Sequence, residues 1–297
     1  MSADYQLRQQ VACYRLLSTN PLMTSQQVFV NRYRKTVHFN SKVQSAAYYT
    51  HIRLKAIKEI VHRTWNEELI GKGLDAKGLE ELNYTKLDVI LVQRVENPQV
   101  FGNYQRAKNE LLDKMIALKE PSRRIESIPG EKGGDPDTTQ DLDDFMKRDL
   151  CPEINECYVL HGTKVERIGG LSDRGLNLRQ ADPNAMFGKG IYTTDSSTKA
   201  DQYADSPVHR RPLNYRNKLI LSRVLLGNVY LCKEKPRQDE QKLSGPPCLN
   251  CLKDMCRCNG PKFDSVLGER YLRFREFVTY DTSNIYPEYV ITYKRAK

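Results

Sequence analysis

The sequence contains no apolar run approaching the ~20 residues that a membrane-spanning helix needs. Its first ten residues, MSADYQLRQQ, are polar and lack the apolar core of a secretory signal. No internal repeat is visible along the chain. These absences predict a protein of the nucleus or the cytoplasm that is neither secreted nor held in a membrane.

The chain also lacks an excess of acidic residues. Its 47 Lys and Arg outnumber 37 Asp and Glu, which gives a net charge of +10. Such a charge suits anionic partners such as nucleic acid, phosphorylated small molecules or polyphosphate polymers. A basic surface that only keeps the protein soluble explains the same charge. A length of 297 residues accommodates one or two domains with a hydrophobic core.

Eight cysteines occur in a chain without a recognisable secretory signal, so we expect reduced thiols and interpret clustered ones as metal ligands. Cys248, Cys251, Cys256 and Cys258 follow the spacing C-x2-C-x4-C-x-C. Four thiolates this close can surround one tetrahedral zinc ion. We therefore predict a structural zinc site, with Cys232 as a replacement ligand and four reduced, exposed thiols as the alternative.

The N-terminal part of the chain has helical periodicity. Apolar residues recur at spacings of three and four between about residues 40 and 69, which predicts the longest helix. A run rich in Val, Ile and Leu at 87–95 predicts a buried strand, and 100–118 predicts a second helix. The Pro-, Gly- and acid-rich composition of 119–148 predicts a flexible insertion. We thus divide the chain into a helical extension, 1–85, and a second domain, 86–297.

The chain beyond residue 149 is rich in β-type segments. A short helix is predicted around 198–203. Strands are predicted at 158–160, 191–194, 219–231 (interrupted at Gly227), 277–280 and 289–293. Helices before strands indicate the α+β class.

Three polar side chains lie beside these predicted strands. His161 ends a short apolar run, Tyr192 closes the glycine-containing stretch FGKGIY, and Glu276 begins the run EFVTY. Together they suggest the walls of a ligand cleft. Taken singly, the His could be a satisfied structural group, the Tyr a core residue and the Glu a solvated strand edge.

The order and spacing of four motifs resemble the catalytic domain of the poly(ADP-ribose) polymerases, which are diphtheria-toxin-like ADP-ribosyltransferases. The resemblance covers residues 153–296, and a weaker one includes VQRVENP at 92–98. Its motifs are HGT at 161–163, FGKGIY at 187–192, Tyr203, and REFVTYDTSNIYPEYVITY at 275–293. It implies that 86–297 is an ADP-ribosyltransferase domain, with a split antiparallel β-sheet core, flanking helices and an N-terminal helical extension.

The resemblance also implies an NAD+ ADP-ribosyltransferase, an enzyme of the pentosyltransferase class with NAD+ as its substrate. In the family, the counterpart of His161 binds the adenine-side ribose and the backbone of Gly162 binds the nicotinamide amide. Tyr192 and Tyr203 would enclose the nicotinamide ring, because an aromatic face suits a planar cation. Thr163 completes the HGT part of the predicted NAD-binding site.

Glu276 is the catalytic residue that the resemblance implies, alongside His161 and Tyr192. A carboxylate there would bind the nicotinamide ribose and stabilise its developing positive charge, as carboxylates do in glycosidases. It would also polarise an acceptor hydroxyl during chain elongation. The glutamate thus favours poly(ADP-ribose) synthesis on protein acceptors, including the enzyme itself. Two alternatives stay open: transfer of single ADP-ribose units, and a catalytically silent module that binds ADP-ribose or nucleic acid.

The sequence departs from the family pattern at two positions. A serine that also binds the nicotinamide amide is expected three residues before Tyr203, where this chain has Ala200. Loss of one hydrogen bond, worth ~0.5–1.5 kcal/mol, predicts weaker NAD binding. An arginine expected after the HG motif is out of register, and Arg179 is its candidate replacement.

The large autoinhibitory helical bundle of the family is not recognisable in this sequence, so we predict activity without a DNA signal. Bracing of the catalytic domain and gating of the NAD cleft both stay open as roles of residues 1–85.

Overall fold

The computed structural model describes residues 54–126, 134–140, 142–182, 184–232, 243–268 and 274–297. Its centre is one eight-stranded sheet with the strand order β1-β8-β4-β2-β3-β7-β6-β5. The strands are β1 Lys86–Arg94, β2 Glu156–Gly162, β3 Ile191–Thr194, β4 Asn217–Leu225, β5 Val229–Cys232, β6 Ser265–Gly268, β7 Glu276–Thr279 and β8 Ile285–Ala296. All neighbouring strands are antiparallel except β5 and β6. The α+β prediction is thus confirmed.

The described residues contain one long helix and several short ones. The described part of α1 covers 54–63, and the other α-helices are α2 Pro98–Leu118, α3 Asp137–Gln140, α4 Asp144–Lys147, α5 Leu171–Arg174 and α6 Ser197–Gln202. The long helix α2 begins where the Asn97 side chain accepts a hydrogen bond from the Val100 N–H. It ends at Leu118 because the next residue, Lys119, has a left-handed φ of 58°. No helix in these described ranges is long and apolar enough to cross a membrane.

Side chains alternate between the two faces of the sheet along each strand. Both faces carry apolar side chains, and helices pack on each of them. On β4 and β8, Leu219 and Ile291 belong to a core cluster with Ile57 and Ile60 of α1. On the opposite face, Ile220 of β4 and Val290 of β8 pack with α5. The central strands are therefore buried from both sides.

The structure confirms several sequence predictions and corrects others. The predicted strand 219–231 is divided into β4 and β5 at Gly227, whose φ is +56° and whose added Cβ would lie 2.5 Å from Asp264 Oδ2. The short strand β6 and its parallel pairing with β5 were not predicted. The prediction that the first long helix continues to Leu69 is wrong, because α1 ends at residue 63. The earlier part of that predicted helix, 40–53, lies outside the described residues.

The predicted insertion 119–148 contains α3 and α4 in its described part. The hydroxyls of Thr138 and Thr139 donate to the carbonyl oxygen of Tyr158 on β2, which fixes α3 against the sheet. Residues 127–133 lie outside the described ranges. The flexibility of the insertion and the domain boundaries at 85 and 86 stay predictions.

Candidate functional site

His161 lies near the end of β2, next to β3. Its Nδ1 is 2.7 Å from the carbonyl oxygen of Tyr192, and a carbonyl oxygen can only accept. Nδ1 therefore carries the proton, and Nε2 is left as an acceptor. Burial lowers the pKa of His161 below its ordinary 6.5, although the hydrogen bond to Tyr192 acts in the other direction. The imidazole is thus neutral near pH 7.

Gly162 allows α6 to approach β2 closely. A Cβ added at this position would lie 1.9 Å from the carbonyl oxygen of Ala200, which no side chain tolerates. Thr163 is buried directly after the strand. Close packing against α6 therefore requires glycine at this position of the HGT motif.

Tyr192 is fixed by the turn that precedes it. Its hydroxyl accepts a hydrogen bond from the Phe187 N–H at 2.8 Å and donates to the Gly188 carbonyl at 3.0 Å. Its ring stacks on that of Phe187 with the centroids 6.3 Å apart. Burial raises the pKa of Tyr192, so the hydroxyl keeps its proton. The Tyr192 hydroxyl thus stabilises the turn formed by the FGKGIY stretch.

Glu276 is the first residue of β7 and lies opposite Thr194 of β3. The β2–β3 and β3–β7 pairings therefore bring Glu276, Tyr192 and His161 to three neighbouring strands. The Glu276 side chain is only 12% exposed, and its Oε1 lies 3.4 Å from Lys199 Nζ. The three polar residues predicted from the sequence thus share one region of the sheet.

Lys199 is a residue of this region that the sequence reasoning missed. It lies on α6, four residues before Tyr203, and its Nζ is 4.9 Å from the centre of the Tyr203 ring. The same Nζ is 2.9 Å from Asp75 Oδ2. The i, i+4 spacing to Tyr203 was the available signal, because such residues share one face of a helix.

Tyr203 follows α6, and its hydroxyl donates to Asp75 Oδ2 at 2.7 Å. Burial raises the pKa of Tyr203, and the nearby carboxylates of Glu276 and Asp75 raise it further. The pKa of Asp75 is held below 3.8, since Lys199 and Tyr203 outweigh the opposing effect of burial. Asp75 stands in a polar stretch without a motif, so no sequence signal pointed to it.

The buried residue Asp201 anchors α6 to the core. Its carboxylate accepts hydrogen bonds from Tyr84 OH at 2.6 Å, from Tyr293 OH and from Arg295 Nε at 3.0 Å. Both Asp201 and Arg295 are almost inaccessible to solvent. Removing one partner of such a buried pair typically costs ~3–5 kcal/mol. The position of Lys199 is therefore set by the core of the domain.

The structure also shows what surrounds Ala200, where the family pattern has a serine. Ala200 is fully buried. The three nearby hydroxyls donate to backbone carbonyls of residues 61–66 at distances of 2.7–3.3 Å; the pairs are Ser196 with Thr64, Ser197 with Val61 and Thr198 with Asn66. These hydroxyls fasten α6 to the preceding segment.

Arg179 is not brought together with the other predicted site residues. It lies on an exposed 3-10 turn, Leu178–Gln180, where its backbone N–H is bonded to Asn177 Oδ1. Within the described part of the chain, we find no hydrogen bond or ion pair of its guanidinium. Its predicted role in NAD binding gains no support from this position.

The four clustered cysteines converge on one point. Cys258 Sγ lies 3.4 Å from Cys248 Sγ, 3.2 Å from Cys256 Sγ and 3.7 Å from Cys251 Sγ, and all four sulfur atoms lie within 4.8 Å of one another. Four thiolates at ~2.3 Å from a tetrahedral zinc ion are separated by about 3.8 Å. The residues therefore fit a zinc ion. Cys232, the proposed replacement ligand, ends β5 and is not part of this group.

Backbone hydrogen bonds favour the thiolate form of one of these cysteines. Bonds from the N–H groups of Cys251 and Asn250 lower the pKa of Cys248 to about 6. The cysteine loop also touches the FGKGIY turn: a Cβ added at Gly188, whose φ is +88°, would lie 2.6 Å from the Leu243 carbonyl oxygen. The cysteine cluster and Tyr192 are thus linked through a close backbone contact.

Comparison with known proteins gives a family match. The family model described as "Poly(ADP-ribose) polymerase catalytic domain" matches residues 70–295, more than half of the chain. The chain is 27% identical over 156 residues to "Poly [ADP-ribose] polymerase 1" of Oryza sativa subsp. japonica and 24% identical over 157 residues to the protein of that name from Gallus gallus. These alignments cover 46% and 47% of the chain but only 15% of each relative's length.

Proposed function

The chain belongs to the poly(ADP-ribose) polymerase catalytic-domain family, and from this premise we propose that it is an NAD-dependent ADP-ribosyltransferase acting on proteins. The observation that carries the proposal is the convergence of His161, Tyr192 and Glu276 on three neighbouring strands. Lys199 and Tyr203 join them from α6. A silent binding module would have no need to retain this combination.

The proposed binding roles follow from the chemistry of each side chain. The neutral His161 offers Nε2 as an acceptor to a hydroxyl of the adenine-side ribose. Tyr192 and Tyr203 enclose the nicotinamide ring, and the backbone of Gly162 binds its amide. With Ala200 in place of a serine and the neighbouring hydroxyls engaged, one hydrogen bond to that amide is missing. We therefore propose modest NAD affinity.

In the proposed reaction, the bond between the nicotinamide nitrogen and C1 of its ribose breaks. Its electron pair passes to the nitrogen and neutralises the pyridinium ring. The Glu276 carboxylate stabilises the positive charge that develops on the ribose. An oxygen of the acceptor forms the new bond to C1 and releases its proton to solvent. The products are nicotinamide and an ADP-ribosylated acceptor.

We further propose that the enzyme elongates the first ADP-ribose into a polymer. Glu276 supports this, because a carboxylate at the reacting ribose can also orient a ribose hydroxyl of the growing chain. Protein acceptors, including the enzyme itself, are the proposed partners. A nuclear or cytoplasmic location, nucleic-acid binding and independence of a DNA signal stay predictions.

We propose that Cys248, Cys251, Cys256 and Cys258 bind a structural zinc ion. The convergence of four sulfur atoms and the backbone N–H bonds to Cys248 support this assignment. The ion would fix the loop that touches Gly188, and it takes no part in the transfer. Metal analysis by mass spectrometry should find about one zinc per chain, and the Cys248→Ser, Cys251→Ser double variant should contain none. Metal-free wild-type protein prepared in zinc-supplemented medium would contradict the site.

Incubation with NAD+ labelled in its adenylate phosphate tests the proposed activity. We expect label on the protein and free nicotinamide in solution, with the label spread as a ladder on denaturing gels. One sharp labelled band would indicate single transfer. No label together with retained binding of ADP-ribose polymer would overturn the proposal in favour of a binding module.

The matched control is Glu153→Gln, which changes a half-buried glutamate on the 3-10 turn before β2, at the other end of that strand from His161. We expect it to label like the wild type. His161→Ala should label weakly, because it removes the ring that is proposed to bind the adenine-side ribose. Equal labelling of His161→Ala and wild type would place the NAD site elsewhere.

A further inference from the structure

A segment before the sheet, residues 64–77, lies along α6. Thr198 Oγ1 accepts a hydrogen bond from the Asn66 N–H at 2.7 Å and lies 3.2 Å from the Asn66 carbonyl oxygen. One turn later on α6, Gln202 Nε2 donates to the Lys72 carbonyl at 3.3 Å. Main-chain groups of residues 66–72 thus fasten the segment to the helix.

Arg210 fastens the second half. Its Nη2 donates to the carbonyl oxygen of Asp75 at 2.5 Å, and its Nε donates to that of Lys77 at 2.8 Å. Arg210 is itself held by Asp205 at 2.6 Å. The path of the chain around Asp75 is therefore set by contacts of backbone atoms. Replacing the Asp75 carboxylate should leave the segment in place.

The Asp75 carboxylate makes contacts of a different kind. Its Oδ2 accepts hydrogen bonds from Lys199 Nζ at 2.9 Å and from Tyr203 OH at 2.7 Å. The same Lys199 Nζ lies 3.4 Å from Glu276 Oε1. One ammonium group is therefore shared by two carboxylates, and the shorter contact is the one to Asp75.

This sharing determines what Lys199 can do. Without Asp75, the ammonium would be attracted by Glu276 alone and would close onto it as a direct ion pair. A Glu276 oxygen engaged in that way could not accept a hydrogen bond from a ribose or acceptor hydroxyl. The Tyr203 ring would at the same time lose the contact that fixes its hydroxyl.

We propose that Asp75 is a positioning residue for ADP-ribosyl transfer, which draws Lys199 away from Glu276 and fixes Tyr203. This inference rests on the function proposed above. It means that the site is completed by a side chain from outside the sheet, since β1 begins only at Lys86. Asp75 does not touch the reacting atoms in this account; it acts through Lys199 and Tyr203.

Steady-state kinetics of NAD+ turnover in a double-mutant cycle tests this role. We expect Asp75→Ala to lower kcat roughly tenfold, while Asp75→Asn, which keeps a side-chain oxygen, loses only about threefold. In a Lys199→Met background, Asp75→Ala should lower kcat by only about two- to threefold, because its contact with Tyr203 is then the only one of the two left to lose. Glu68→Ala, an exposed acid on the same segment, is the matched control and should behave as wild type.

Four results would overturn the inference. Asp75→Ala could leave kcat unchanged, or raise it, which would make the segment a restraint. It could lower kcat equally with and without Lys199. It could lower kcat only in proportion to a loss of folded protein seen by thermal unfolding of the Asp75→Ala and Asp75→Asn variants. A wild type that transfers no ADP-ribose would instead overturn the proposed function, before any variant is compared.

Discussion

Lys199 Nζ lies 3.4 Å from Oε1 of Glu276, and both side chains are about nine-tenths buried. This ion pair joins α6 to the first residue of β7. Because α6 is held by the buried Asp201–Arg295 pair, the ammonium group has a fixed place beside the carboxylate. The fold of the protein thus places the Lys199 ammonium group beside the Glu276 carboxylate.

We predict that Lys199→Met lowers kcat roughly ten- to a hundred-fold, measured as nicotinamide release at saturating NAD+. Methionine preserves most of the volume but removes the ammonium group that offsets the repulsion between the Asp75 and Glu276 carboxylates. The control is Lys147→Met, an exposed lysine on α4, which should keep the wild-type rate. An unchanged kcat in Lys199→Met would show that Lys199 has no part in the reaction.

We predict that Tyr192→Phe weakens NAD binding more than it slows the transfer. The lost hydroxyl leaves the Phe187 N–H and the Gly188 carbonyl without their partner, which loosens the turn. A loss of ~1–2 kcal/mol corresponds to a KM for NAD+ raised roughly 5- to 30-fold. Tyr215→Phe, a ring that contacts Arg211 at the surface, serves as the control. If kcat fell while KM stayed constant, the hydroxyl would act in the chemical step.

The pKa of His161 should lie below 6.5, because burial disfavours its charged form. The unfolded chain therefore binds this proton more readily than the folded protein does. The stability that the neutral ring contributes is complete above the unfolded pKa, and it is lost as the pH falls through the folded pKa. The free energy of unfolding should therefore decrease only below pH 6.5, and the affinity for NAD should fall in the same pH range. NMR titration of the five histidines, with His161→Gln to identify the resonance, measures the pKa. A value above 6.5 would contradict the buried neutral ring.

Removal of the proposed zinc ion should affect the proposed NAD site through the cysteine loop. The Leu243 carbonyl lies against Gly188, so an unfastened loop releases the turn that holds Tyr192. We expect Cys256→Ser to lower the Tm by several degrees, as roughly 1 kcal/mol corresponds to ~2–4 °C at this size, and to raise the KM for NAD+. Met255→Ser changes the exposed neighbour of that ligand and should alter neither value. Loss of zinc without a change in Tm would mean that the loop holds its shape alone.

The sequence predicted the parts of the site that carry short motifs. His161, Tyr192 and Glu276 stand beside strands that period and composition identify, and the structure brings all three to neighbouring strands. The break of the predicted strand at Gly227 was also foreseen, because glycine stands where the backbone turns. The roles of His161, Tyr192 and Glu276 in NAD binding and transfer stay proposals.

The residues that were missed depend on tertiary contacts. Lys199 has the pattern of a solvated lysine on a short helix, and only the placement of α6 beside β7 brings it to Glu276. Asp75 lies in a polar stretch whose path is set by Arg210, far along the chain. Strand β6 has four residues and a parallel partner, so neither its length nor its alternation marks it in the sequence.

In the proposed reaction, Glu276 acts on the reacting ribose of NAD+. Glu276→Gln preserves the size of the side chain, so it separates catalysis from binding. Calorimetric titration with NAD+ and measurement of label transfer should be made on the same preparation. We predict a Kd within about threefold of wild type and a transfer rate at least roughly a hundred-fold lower. Transfer by Glu276→Gln at the wild-type rate would contradict the account.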